Sequence, residues 1–125
     1  VVEFRGGSAV IPAARDVVQG FVARLGEAGV KTADTFLDTA RLVVSELVTN
    51  AVRHAPGPCR LVLTLVGDGV EIAVRDTGEG FPTFLPSDPL RVGRHGLEIV
   101  TRLCGEVITR PHATGKTVFA RLPLR

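Results

Sequence analysis

Methionine is absent from this chain, which begins at Val1, so its 125 residues read as a processed or trimmed product, with the extent of the native chain left open. Cysteine occurs only twice, at Cys59 and Cys104. Their separation fits no metal-binding spacing. Apolar neighbours mark both as small buried hydrophobes rather than a disulfide, which points to a reducing cytosol. No run of eighteen apolar residues and no signal peptide appear in these residues, and a soluble, intracellular function is expected. Dense basic clusters are lacking too: the net charge is only +2, so direct nucleic-acid binding is not expected. Thirteen of the fifteen basic residues are Arg, a bias that a GC-rich genome explains as readily as phosphate recognition. Repeats, low-complexity tracts and linkers are also missing. Residues 1–125 read as a single domain, expected in the cytoplasm.

What is present has the balance of a globular fold, 45% apolar and 22% charged. The opening "VVEFRGGSAV" predicts a short strand that ends near Gly6 and Gly7. Pro12 suits a helix start, and Val17, Val18, Phe21, Val22 and Leu25 recur at helical spacing until Gly26 and Gly29 stop them. A second helix, capped by Thr32 or Asp34, carries a broad apolar face from Phe36 to Ala51 and ends at Pro56, Gly57 and Pro58. Two alternating runs joined by "GDG" predict an antiparallel hairpin. Periodicity then vanishes from Thr77 to Val92, a long loop holding Pro82, Pro86 and Pro89. The segment "HGLEIVTRLCG" predicts a third helix, "EVITR" a strand, "PHATGK" a turn and "TVFARLPL" a last strand. The order β-α-α-β-β-loop-α-β-β lacks repeated βαβ crossovers. It predicts an α+β fold, a two-layer α/β sandwich with a mixed, mostly antiparallel sheet and helices on one face.

Three pieces carry chemistry. In "SELVTNAVRH", residues 45–54, Glu46 and Asn50 lie one turn apart on one helix face. An Asn oxygen is a neutral hard ligand suited to Mg²⁺, and a nearby Glu can accept a proton. A solvated helix face would also hold such a pair. In "DTGEG", Asp76 ends a strand and can accept a hydrogen bond from an exocyclic amine, while Gly78 and Gly80 let a ligand approach the backbone. A plain turn has the same composition. In "GRHGLEIV", Gly93 and Gly96 open a helix whose free N–H groups suit an anion. Thr117, in "GKTV", is a good strand former.

In this order, E-x-x-x-N, D-x-G-x-G, a loop and G-x-x-G opening a helix span about fifty residues. The combination resembles the ATP site of the GHKL superfamily: type II topoisomerases, heat-shock chaperones, histidine kinases and mismatch-repair ATPases. The element order is similar to that fold, and the resemblance covers nearly the whole chain. Histidine kinases usually carry Asn where this chain has Glu46, and they need a phosphoacceptor-histidine helical domain that these residues do not contain. Topoisomerases and chaperones embed the module in much larger chains. A module of this size with "VSELVTNAVRHA" and a terminal "GKTVFARLPL" looks like the bacterial anti-sigma-factor serine/threonine kinases. It is also similar to the small regulatory ATP-binding proteins of actinobacteria.

The resemblance implies roles for particular residues. Asn50 would ligate the Mg²⁺ that bridges the ATP phosphates, and Glu46 would be the general base for a serine hydroxyl on a partner. Asp76 would hold the adenine amino group, helped through water by Thr117, with Gly78 and Gly80 admitting the base. Residues 81–95 would form the lid, closing at Gly93 and Gly96, and Arg91 or Arg94 would neutralise charge on the transferring phosphoryl group. Related proteins often place closely spaced glycines where this chain has Arg94 and His95. Arg94 is then an extra phosphate ligand or a stiffener of the lid, and the former is favoured. His54 matches the end of the family's N-box helix and reads as a packing residue. Arg53 reads as solvated, with a phosphate contact as the alternative, and His112 carries no role.

The implied function is an ATP-dependent kinase that phosphorylates an anti-anti-sigma (STAS-type) protein and binds a sigma factor. A phosphate adding about −1.5 to −2 charge would decide which complex forms. The alternatives are a nucleotide-binding regulatory module without turnover, and the ATP-binding domain of a histidine kinase. The resemblance also implies a homodimer, although no exposed apolar patch is legible.

Overall fold

Each apolar periodicity becomes the element it predicts. The structure, a computed structural model, describes residues 2–4, 10–54, 58–76, 92–113 and 115–125. In chain order it contains β1 (Val2–Phe4), α1 (Val10–Glu27), α2 (Phe36–His54), β2 (Cys59–Val66), β3 (Gly69–Asp76), α3 (Val92–Cys104), β4 (Val107–His112) and β5 (Gly115–Pro123). The strands form one sheet in the order β1-β2-β3-β5-β4. Every described pairing is antiparallel, so the expectation of a mixed sheet resolves to an antiparallel one. The fold is α+β, with α2 packed against β2 and β3, and α3 against β4 and β5.

Local chemistry explains the joints. At the end of α1, Val30 N–H donates to the Leu25 carbonyl at 2.9 Å and Gly29 N–H to that of Gly26 at 3.0 Å. This is a Schellman cap, and Gly29 supplies its left-handed residue at φ +81°. The β2–β3 hairpin closes on Gly67 and Asp68, with Val66 opposite Gly69. Gly67 has φ +59° and no described non-glycine residue has positive φ, the sign pattern of a type II′ turn. Inward rows on β2, β3 and β5 meet α2 and α3. Leu61, Ile72 and Val74 from the sheet lie in one core with Val18, Val43, Val44, Leu47, Val48 and Val100 from the helices. Each such side chain stabilises the fold by about 1.5–3 kcal/mol through burial.

Two boundaries differ from the sequence reading. The third helix begins at Val92 rather than His95, so Gly93, Arg94 and His95 belong to its first turns. The stretch read as a turn, "PHATGK", is mostly strand: Pro111 pairs with Lys116 and His112 with Gly115. β4 is the outer strand of the sheet, where a proline without an N–H is tolerated. Among the described residues no helix is long and apolar enough to cross a membrane.

Candidate functional site

The end of the sheet beyond the core is where the polar residues gather. Along β3 the inward row runs Val70, Ile72, Val74 and then Asp76, and along β5 it runs Leu122, Ala120, Val118 and then Lys116. Val74 faces Val118 across the two strands, so the same two-residue step brings Asp76 opposite Lys116. Lys116 Nζ donates to Asp76 Oδ2 at 2.7 Å, and its backbone N–H donates to Oδ1 at 3.2 Å. Both residues are only 2% exposed. A charge at such depth is costly unless it is paired, so each holds the other in place.

Gly115 makes this closeness feasible. Its φ is +116°, and a Cβ there would lie 2.1 Å from the Asp76 carbonyl oxygen. Cys59, opposite Asp76 on β2, is buried as well. Burial raises its thiol pKa, and the nearby Asp76 charge adds to the rise.

The resemblance has Thr117 help Asp76 hold the adenine amine through water; strand alternation turns its side chain to the opposite face of the sheet. There its Oγ1 is hydrogen bonded to His112 Nε2 at 2.6 Å. On that face Arg110 also lies over the Phe119 ring, 5.5 Å from its centroid. The polar neighbour of Asp76 is therefore Lys116. The sequence signal for this was available: counting back by two from the inward Val118 gives Lys116, whereas the role of Thr117 is one that the resemblance implies. His112, read as a turn residue, lies at the end of β4.

On the helix layer, Glu46 is half-buried and Asn50 is 4% exposed, four residues apart on α2. A carboxamide so far from water, on a helix packed against β3 and α3, is unusual for a core position. Gly93, Arg94 and Gly96 lie on the first turns of α3, whose N-terminal dipole favours an anion. Gly78, Gly80, Arg91 and the lid as far as residue 91 lie outside the described residues. The structure thus brings Asp76 to a buried strand end and puts Glu46 and Asn50 together on α2.

Residues 9–122 match the family model of the histidine kinase-like ATPase domain. The chain belongs to that family, within the GHKL superfamily, and is an ATP-binding, kinase-like domain. Among solved structures it is similar to the catalytic domain of the histidine kinase ThkA, with a TM-score of 0.57 at 17% identity. That match covers 98% of this chain and 95% of the other. The Acinetobacter baumannii histidine kinase AdeS gives a TM-score of 0.56 at 15% identity, covering 100% of this chain and 68% of that one. Both likenesses show the fold. The Erythrobacter litoralis EL346 blue-light activated histidine kinase is 28% identical, with a TM-score of 0.55, over 70% of this chain and 31% of that kinase. The present chain therefore spans under a third of that kinase's length.

The residues fit ATP. Asp76 is a buried acceptor fixed at a strand end, suited to an exocyclic amine, and Asn50 offers a neutral oxygen on the facing helix layer. Among the described residues no three His, Cys, Asp or Glu side chains converge as a metal cage. A Mg²⁺ ion here would draw on Asn50 and on phosphate oxygens, the shared arrangement this ion favours.

Proposed function

We propose that this domain is a serine/threonine protein kinase of the anti-sigma-factor type, which phosphorylates a STAS-type anti-anti-sigma protein and thereby regulates transcription by partner switching. The observation that carries the reading is the half-buried Glu46 one turn before the buried Asn50. Asn50 would hold Mg²⁺, and the ion would neutralise phosphate charge. Glu46, still partly reached by solvent, would accept the proton of an incoming serine hydroxyl. Asp76 would orient the base, and Arg91 or Arg94 would meet the phosphates. Gly78, Gly80, Gly93 and Gly96 would admit the nucleotide and close the lid. A free sigma factor would bind the same domain, which would act in the cytoplasm as a homodimer.

A second reading, the ATP-binding domain of a histidine kinase, is favoured by the solved structures named above, all of them histidine kinases. The stability of the product separates the two. The domain is incubated with Mg·ATP labelled at the γ-phosphate and a STAS-domain protein. Acid-stable phosphoserine that is abolished by Glu46→Gln, with ATP still bound, is the expected result. An acid-labile phosphohistidine product, or phosphoserine formed equally well by Glu46→Gln, would overturn the proposal.

A further inference from the structure

The inward face at the end of β5 belongs to Lys116, and this residue has no place in the site expected from the sequence. Three observations converge on it. It lies beside Asp76, the carboxylate assigned to the base. It is 2% exposed, although it carries a strongly hydrated group that is seldom fully buried unless paired. Its ammonium has three N–H donors, yet among the described residues it finds one acceptor, Asp76 Oδ2 at 2.7 Å. Donors with unspent capacity in a dry place lose stability unless something accepts from them.

We propose that Lys116 is a base-reading residue: its ammonium donates directly to a ring nitrogen of the nucleobase while Asp76 accepts from the adjacent exocyclic amine. The proposal rests on the nucleotide reading above. Adenine presents those two groups side by side, an amine at C6 next to the acceptor N1. A carboxylate and an ammonium 2.7 Å apart present the complementary pair. The ion pair then has two uses. Without nucleotide the two charges satisfy one another, and with nucleotide they are bridged by the base edge without either charge moving into water. Thr117 lies on the other face, bonded to His112.

The competing idea is that Lys116 plugs the subsite and must be expelled for the base to enter. Chemical labelling separates the two without any substitution. The chain has only two lysines, Lys31 and Lys116, and Lys31 is exposed, so it serves as an internal control. The protein is treated with an amine-acetylating reagent, with and without saturating Mg·ATP, and each site is read by mass spectrometry. Lys31 is expected to react equally in both, while Lys116 reacts more slowly when ATP is bound. Faster acetylation of Lys116 with ATP would overturn the proposal in favour of the plug.

Binding of ATP is then compared with that of 1-deaza-ATP, in which a C–H replaces N1. The wild-type protein is expected to bind the analogue roughly ten- to a hundredfold more weakly, the loss of one hydrogen bond to a charged donor. In Lys116→Met that ratio is expected to fall to about threefold or less. Equal binding of the two nucleotides by the wild type, or an unchanged ratio in Lys116→Met, would also overturn it. A folded wild-type protein that binds neither nucleotide would show instead that the underlying nucleotide reading has failed.

Discussion

Asp76 and Cys104 show how far a single side chain's surroundings set its chemistry. The place of Asp76 at a strand end was legible from the alternating run before "DTGEG", whereas a plain turn has the same composition and its role as an acceptor for the base came only with the resemblance. Its partner was not legible, because Lys116 lies forty residues away and only the strand register joins them. Cys104, expected to be a small buried hydrophobe, is only partly buried, and that burial raises its thiol pKa from 9.0 to about 11. The folded chain thus keeps a proton that the unfolded chain releases earlier as pH rises. Its contribution to stability is complete below about pH 9 and is lost towards pH 11. Denaturant unfolding across that range should show stability falling with pH, and Cys104→Ala should flatten the fall. An identical slope in the variant would contradict this.

At the scale of elements, the order of helices and strands could be read directly, because α1, α2 and the β2–β3 hairpin each carry their own periodicity and stop signals. The ends of α3 and of the β4–β5 pair could not. Val92 begins α3 behind a stretch without periodicity, and Pro111 and Gly115 look like turn residues until cross-strand pairing places them in the sheet. Two glycines test how such ends are held. Gly29, at φ +81°, has open space around its Cβ position, so Gly29→Ala should cost only the left-handed strain, roughly 1–2 kcal/mol. Gly115→Ala adds a Cβ 2.1 Å from the Asp76 carbonyl oxygen and must push two strands apart. It should cost more, about 3 kcal/mol or above, and weaken nucleotide binding as Asp76 moves. Equal losses at the two positions, by denaturant unfolding, would mean that the strand end is slack.

For the whole molecule, the two layers have a division of labour. The antiparallel sheet brings Asp76 and Lys116 to one end of the inward face, while α2 carries Glu46 and Asn50 on the layer packed against it. The layering was legible, since antiparallel hairpins alternating with amphipathic helices have few other ways to bury one face each. The family match over residues 9–122 agrees with it. Partner choice was not legible, because it depends on surface complementarity rather than on periodicity or motif spacing. The central claim is that these layers enclose a Mg·ATP site built on Asp76 and Asn50. Its most direct test is the melting temperature with and without Mg·ATP, for the wild type and for Asn50→Ala. ATP at about a hundred times its dissociation constant should stabilise the wild type by roughly 2.7 kcal/mol. The account predicts a rise of several degrees that requires Mg²⁺ and disappears in Asn50→Ala. No rise in the wild type, or the same rise in the variant, would contradict it.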